Sequence, residues 1–111
     1  MKYQKQGDII FLDFDPQAGH EQKGRRPAVV ISNNTYNRFS KTIFVCPITN
    51  TNKHHPFHLV LDERTKTTGV ILCDQAKALD VGIRNGTFVE KLPRDLLFEA
   101  IDIITGFIEI K

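Results

Sequence analysis

The sequence predicts a mainly β protein: a small, strongly bent sheet or barrel with one C-terminal helix packed on it. Two features carry this. Short apolar runs rich in Ile, Val and Phe recur at close spacing between Asp8 and Val89. A single stretch with three- and four-residue apolar periodicity follows Leu92-Pro93.

Asp8-Ile9-Ile10-Phe11-Leu12-Asp13-Phe14 is too short for a helix and reads as a largely buried strand opened by Gly7. Asp15-Pro16 closes it, because a residue before proline is pushed out of the helical region. Pro27 to Ser32 is β-branched and nearly continuous, which predicts a central strand. Asn33-Asn34 ends it, and Thr35 to Ser40 has room for one helical turn. Thr42 to Ile48 is a third strand, in which Pro47 predicts an edge or a bulge. A polar loop, Thr49 to Pro56, leads to a fourth strand, Phe57 to Leu61, and the charged loop Asp62 to Thr68 to a fifth, Gly69 to Cys73. The alternating Ala76 to Asp80 and the short Thr87-Phe88-Val89 complete the β region, with turns at Gly82 and Asn85-Gly86. Pro93 suits the first position of a helix, where its missing N–H is no loss. Leu97, Ala100, Ile101, Ile104 and Ile108 form one apolar stripe along that helix, and Leu96, Ile103 and Phe107 a second. This exceeds what one face needs, so deep burial or a subunit interface is expected.

At 111 residues, the chain predicts one domain over positions 1–111 with a single core. No apolar run approaches the roughly 20 residues needed to cross a bilayer. The polar start MKYQKQGD is no signal peptide, so a cytoplasmic location and no membrane partner are expected. Cys46 and Cys73 each lie inside an apolar run and read as small buried thiols of a reducing compartment. Net charge is only +2, but it is uneven. Residues 17–66 hold eight cations against three anions and all four histidines, whereas residues 67–111 hold five cations against seven anions. That asymmetry fits either an uneven solvated surface or a basic face for a polyanion.

The link between the first two strands spends eleven residues, Asp15 to Arg25, where a short turn would do. Running from it into the second strand, Gly19-His20-Glu21-Gln22-Lys23-Gly24-Arg25-Arg26-Pro27 gathers an imidazole, a carboxylate, an amide and three cations. Arginine's planar fork binds phosphate and stabilises charge developing at a phosphoryl centre. Arg26 is preferred to Arg25 because it stands at the threshold of a strand, locked by Pro27. Glu21 has two open roles, proton acceptor or partner of Arg26. His54 and His58 have i,i+4 spacing, but Pro56 between them argues against the helix that would aim both at one metal, and no metal site is expected. Histidine acting as general acid or base remains open, with His20 and His58 as the pair to test.

The strings GDIIFLDFDP, then GHEQKGRRPAVVIS, VCPIT at 45–49 and GVILCDQAKALD at 69–80 resemble the MazF/PemK family of bacterial toxin endoribonucleases. The resemblance runs over essentially the whole chain. It implies an SH3-like or CcdB-like small barrel that works as a homodimer. It implies cleavage of single-stranded RNA without metal or other cofactor, by the 2′-hydroxyl, giving a 2′,3′-cyclic phosphate and a 5′-hydroxyl. The family's catalytic arginine and threonine fall on Arg26 and Thr49, and its E-Q on Glu21-Gln22, which would orient Arg26 and line the RNA groove. Gln75, after Asp74, and Asn33 become candidate base contacts. Lys23, Arg25, His20 and Lys53 complete the substrate-binding set. His20 inherits no role, and the 50–56 loop, individual to this chain, is expected to tune sequence preference. The resemblance also implies a cognate antitoxin, acidic in its tail, over the same basic groove. The competing class is a non-catalytic toxin of the same fold that binds DNA gyrase.

Overall fold

A computed structural model describes residues 3–14 and 24–111. They form one mostly antiparallel sheet with two helices: β1 (Asp8–Asp13), β2 (Arg25–Val30), α1 (Asn34–Phe39), β3 (Ile43–Thr49), β4 (His58–Val60), β5 (Val70–Leu72), β6 (Lys77–Leu79), β7 (Thr87–Lys91) and α2 (Arg94–Ile108). The strand order is β4-β5-β3-β2-β1-β7, with β6 also paired to β3. The mainly β architecture with a C-terminal helix is therefore the one expected. Among the described residues, no helix is long and apolar enough to cross a membrane.

Successive residues of a strand point to opposite faces, and here both faces are covered. Ile9, Val29, Cys46, Ile48, Leu59 and Ile71 lie on one side under Leu96, Leu97 and Ala100 of α2. Ile10, Leu12, Ala28, Val30, Ile43, Val45 and Leu79 form a second core with Phe14 on the other. Two cores explain why β1 and β2 read as continuous apolar runs and not as alternating ones. Cys46 and Cys73 are free thiols buried in the first core. A hydrogen bond with Cys73, reinforced by burial, holds the Cys46 thiol far above its ordinary value.

β3 is the shared strand. Ala28, Val29 and Val30 of β2 pair with Pro47, Cys46 and Val45 along one edge. Along the other edge its first half pairs with β6, Val45 facing Lys77, and its end with β5, Ile48 facing Ile71. Three residues of β3 thus span six of its partner. A 3₁₀ turn, Cys73–Gln75, takes up the slip of three. Pro47 lies between the two ladders. The Ile31 N–H bond to the Phe44 carbonyl fixes the alternation and turns the nitrogen of Pro47 away from β2, into that gap. Proline is tolerated in a central strand here because pairing is interrupted on the side its missing N–H would serve. Of the two expected settings, edge or bulge, the irregularity is the one found.

Pro93 stands one residue before α2 and not inside it. Leu96, Leu97 and Ala100 are buried, Ile101, Ile103 and Ile104 are partly buried against the core, and Ile108 is exposed. The apolar stripe expected to run through Ile108 is thus buried only in its first half. Arg64 anchors the charged loop to this helix, donating from Nη1 and Nη2 to the two Asp95 carboxylate oxygens, each at 2.9 Å, and also to Asp62.

Leu97 is buried in the first core and packs over Gly7, which has no side chain to move into the space Leu97 occupies. Leu97→Ala is expected to destabilise the fold by about 2–5 kcal/mol, read from the urea midpoint, whereas Ile108→Ala should change it little.

Candidate functional site

Strand register brings Arg26 and Thr49 together. Continuing the Ala28–Pro47 pairing by two residues sets Arg26 opposite Thr49, and cross-strand neighbours share a face. On the same face, one strand over, Leu72 of β5 lies opposite His58 of β4. These four side chains line a cleft of about 500 Å³, joined by Thr51, Lys53 and Gln75. The face that forms the second core is closed by apolar side chains at its far end and opens here, where its residues turn polar.

Each member has a structural reason for its place. Arg26 is half-buried in β2, directly across from Leu12 of β1. Thr49 ends β3 and is buried, and its Oγ1 accepts a hydrogen bond from the Thr51 N–H at 3.3 Å. That bond occupies a lone pair and leaves the hydroxyl proton to donate elsewhere. Gln75 reaches the cleft because the 3₁₀ turn lifts it out of the ladder, and its buried Oε1 has no partner among the described residues. His58 has a ring only 10% exposed, with Nε2 3.2 Å from Asp74 Oδ1. Nδ1 has no partner among the described residues. In the neutral ring, Nε2–H donates to the carboxylate and Nδ1 is the bare acceptor.

Arg25 does not join them. It also lies on β2, so rigidity does not distinguish it from Arg26; strand alternation does. Its Nη1 and Nη2 lie 3.4 Å from Asp13 Oδ1 and Thr87 Oγ1, and its guanidinium lies 5.1 Å from the Phe11 ring centroid. Asp13 is a settled partner: the Asn85 amide, with Arg25 adding to it, holds that carboxyl below the usual carboxylate range. Asn33 is elsewhere too. Its side chain caps α1 by accepting from the Tyr36 N–H at 2.9 Å, and it lines a separate hollow of about 330 Å³ with Phe44, Ile101 and Ile104. His20, Glu21, Gln22 and Lys23 lie outside the described residues.

Thr51, Leu72 and His58 belong to the cleft although only the last was weighed for chemistry. His58 was legible as a histidine in a strand, but its partner Asp74 comes from another segment. Gly69 carried no signal beyond opening a strand, yet it fixes Thr49. Its φ is +113°, and a Cβ there would lie 2.2 Å from the Thr49 carbonyl oxygen. Gly69→Ala is therefore expected to cost more than about 1 kcal/mol and to displace Thr49. Gly24→Ala, also at positive φ but with nothing among the described residues within 4 Å of the added Cβ, should lower the urea midpoint less.

Residues 5–105 match the family model described as PemK-like, MazF-like toxin of type II toxin-antitoxin system. Endoribonuclease PemK of Escherichia coli is 34% identical over 101 residues, covering 87% of this chain and 76% of that protein. Endoribonuclease toxin MazF of Escherichia coli strain K12 is 42% identical over 81 residues, covering 73% of this chain and 72% of that one. Among solved structures, MazF of Deinococcus radiodurans superposes with a TM-score of 0.92 at 34% identity, over 99% of this chain and all of that one. A MazE-MazF structure from the same organism gives 0.86 at 33% identity, over the whole of both chains. This chain belongs to the PemK/MazF family of type II toxins.

Proposed function

We propose that the chain is a metal-independent endoribonuclease toxin that cleaves single-stranded RNA at short sequences, leaving a 2′,3′-cyclic phosphate and a 5′-hydroxyl. The observation that carries the reading is the convergence of Arg26 and Thr49, from neighbouring strands, on one cleft. The 2′-oxygen bonds to phosphorus as the bond to the 5′-oxygen breaks, and charge accumulates on the non-bridging oxygens. A guanidinium is always protonated, so Arg26 acts by stabilising that charge rather than as a base. Thr49, with its oxygen already accepting from Thr51, donates its proton to a phosphate oxygen. Lys53 offsets backbone charge, and the Gln75 carbonyl, without a partner among the described residues, is suited to accept from an exposed base edge. In this reading Glu21 and Gln22 would orient Arg26, and Lys23 and His20 would contact the RNA; all four lie outside the described residues.

A second reading of the proton transfer is favoured by one observation: the His58 ring stands in the cleft wall beside Asp74. Its Nδ1 is buried, so Nε2 would have to leave Asp74 to accept the 2′-hydroxyl proton, a task that neither arginine nor threonine performs at neutral pH.

The toxin is neutralised by a cognate antitoxin whose acidic tail covers the basic groove. It acts in the bacterial cytoplasm as a homodimer. The excess of cations in residues 17–66 supports the first statement. The half-buried Ile101 and Ile104, which line an apolar hollow with Tyr36 and Phe44, support the dimer.

Arg26→Ala is expected to lower cleavage of a long single-stranded RNA in EDTA by about 100-fold or more while the dimer persists. Wild-type rates in that variant would remove Arg26 from the reaction. Intact RNA with the unaltered protein, alongside blocked DNA supercoiling, would favour the gyrase-binding alternative. His58→Ala costing far more than Thr49→Ala would make the histidine the main proton carrier.

A further inference from the structure

We propose that His55, His58 and Asp74 form a binding site for a divalent transition-metal ion of the Zn²⁺ class, and that its occupation inhibits the adjoining cleft. One ligand atom from each of the three lies within 4.8 Å of the others. They come from three segments: His55 from the loop before β4, His58 from β4 itself, and Asp74 from the turn between β5 and β6. The helical-spacing argument that set aside His54 and His58 does not reach this trio, because Asp74 is brought in by strand pairing.

The arrangement is close to what zinc requires. Ligands about 2.0–2.2 Å from a tetrahedral ion stand roughly 3.3–3.5 Å apart. His58 Nε2 and Asp74 Oδ1, at 3.2 Å, already have that separation. His55 would close the third side by moving an ångström or so; its Nδ1 accepts from the Phe57 N–H at 3.1 Å. Its side chain is exposed, and its ring centroid lies 4.8 Å from that of His58. The ion would replace the proton now shared between His58 and Asp74.

The chemistry also selects the ion. Two imidazoles and a single carboxylate are a poor set for Mg²⁺ or Ca²⁺, which take oxygen ligands in larger number. Ligation at Nε2 moves the ring proton to Nδ1, in a buried position without an acceptor among the described residues. Only an ion with strong affinity for imidazole offsets that cost. His58 is the link to function, since its ring, 10% exposed, is part of the cleft wall beside Thr49. A bound ion fixes that ring and the neighbouring carboxylate, and ties the 50–56 loop to the turn that carries Gln75. The inhibitory consequence rests on the nuclease reading above; the binding site does not.

Untagged protein titrated with Co²⁺ should develop the visible absorption of a nitrogen-ligated, low-coordinate ion. Calorimetry with Zn²⁺ should give one ion per chain. His55→Ala and Asp74→Asn, both at exposed positions, should each weaken Zn²⁺ binding about tenfold or more, and His54→Ala should not. Absence of binding, or wild-type affinity in both variants, overturns the site. In RNA cleavage, each protein is compared with its own rate in EDTA: Zn²⁺ should inhibit the wild type and spare His55→Ala. Equal inhibition of the two overturns the inhibitory role. If the wild type cleaves no RNA, the nuclease reading fails while the titrations still decide the metal site.

Discussion

The constraint on which this structure depends is that β3 serves two ladders on one edge while keeping an unbroken register with β2 on the other. The β2 register decides that Arg26 and Thr49 fall opposite one another and share a face. The slip between the β6 and β5 ladders has two effects. It leaves a gap that admits Pro47 in the middle of a sheet, and it forces out the turn that presents Asp74 and Gln75. A shift of one residue between β2 and β3 would send Thr49 to the face covered by α2. The two cores guard against that shift, because Val29 and Cys46 must stay under the helix while Val30 and Val45 stay opposite it.

This division of labour explains how polar groups come to be concentrated on a sheet face that is otherwise core. Over most of its length the face carries Ile10, Leu12, Val30 and Val45, all buried. It becomes a site only at the end where β2 begins and β3 finishes. There Arg26 has Leu12 on one flank and the cleft on the other, so its aliphatic stem is seated while its head lines the cleft. Arg25, one residue earlier, faces the opposite side of the sheet and is engaged with Asp13 and Thr87. Adjacent arginines in the sequence thus do different work, one structural and one at the cleft.

How much of this was legible in the sequence follows from the range of the interactions involved. Element types were legible because hydrophobic periodicity is local, and each strand and the C-terminal helix appear within two residues of their expected bounds. Arg26 was favoured over Arg25, but for its rigidity, when what separates them is the period-two alternation of a strand that contains both. Thr49 owed its catalytic role to the resemblance, since a hydroxyl just past a strand end is only a very weak signature of phosphate binding. Gly69 was read as a strand opener, and its role depends on a carbonyl twenty residues away in the chain. Asn33 was expected beside a substrate; among the described residues its evident work is to cap α1. The His58–Asp74 pair was invisible for the same reason as Gly69: neither residue predicts the register that joins them.

Placing the two kinds of group on different scaffolds has a functional logic. Arg26 and Thr49 sit on strands whose positions are fixed by two cores, which suits groups that must match a transition state to within a fraction of an ångström. Lys53, Thr51 and His55 belong to an exposed loop without a core residue, and Asp74 and Gln75 to a turn. Groups on such elements adjust to a ligand at little cost to the fold. His58 joins the two sets, being on a strand yet bonded to the turn and stacked against the loop. A ligand held by the loop or the turn would therefore touch a contact partner of His58 in the cleft wall. That coupling runs through direct contacts and needs no change in the sheet.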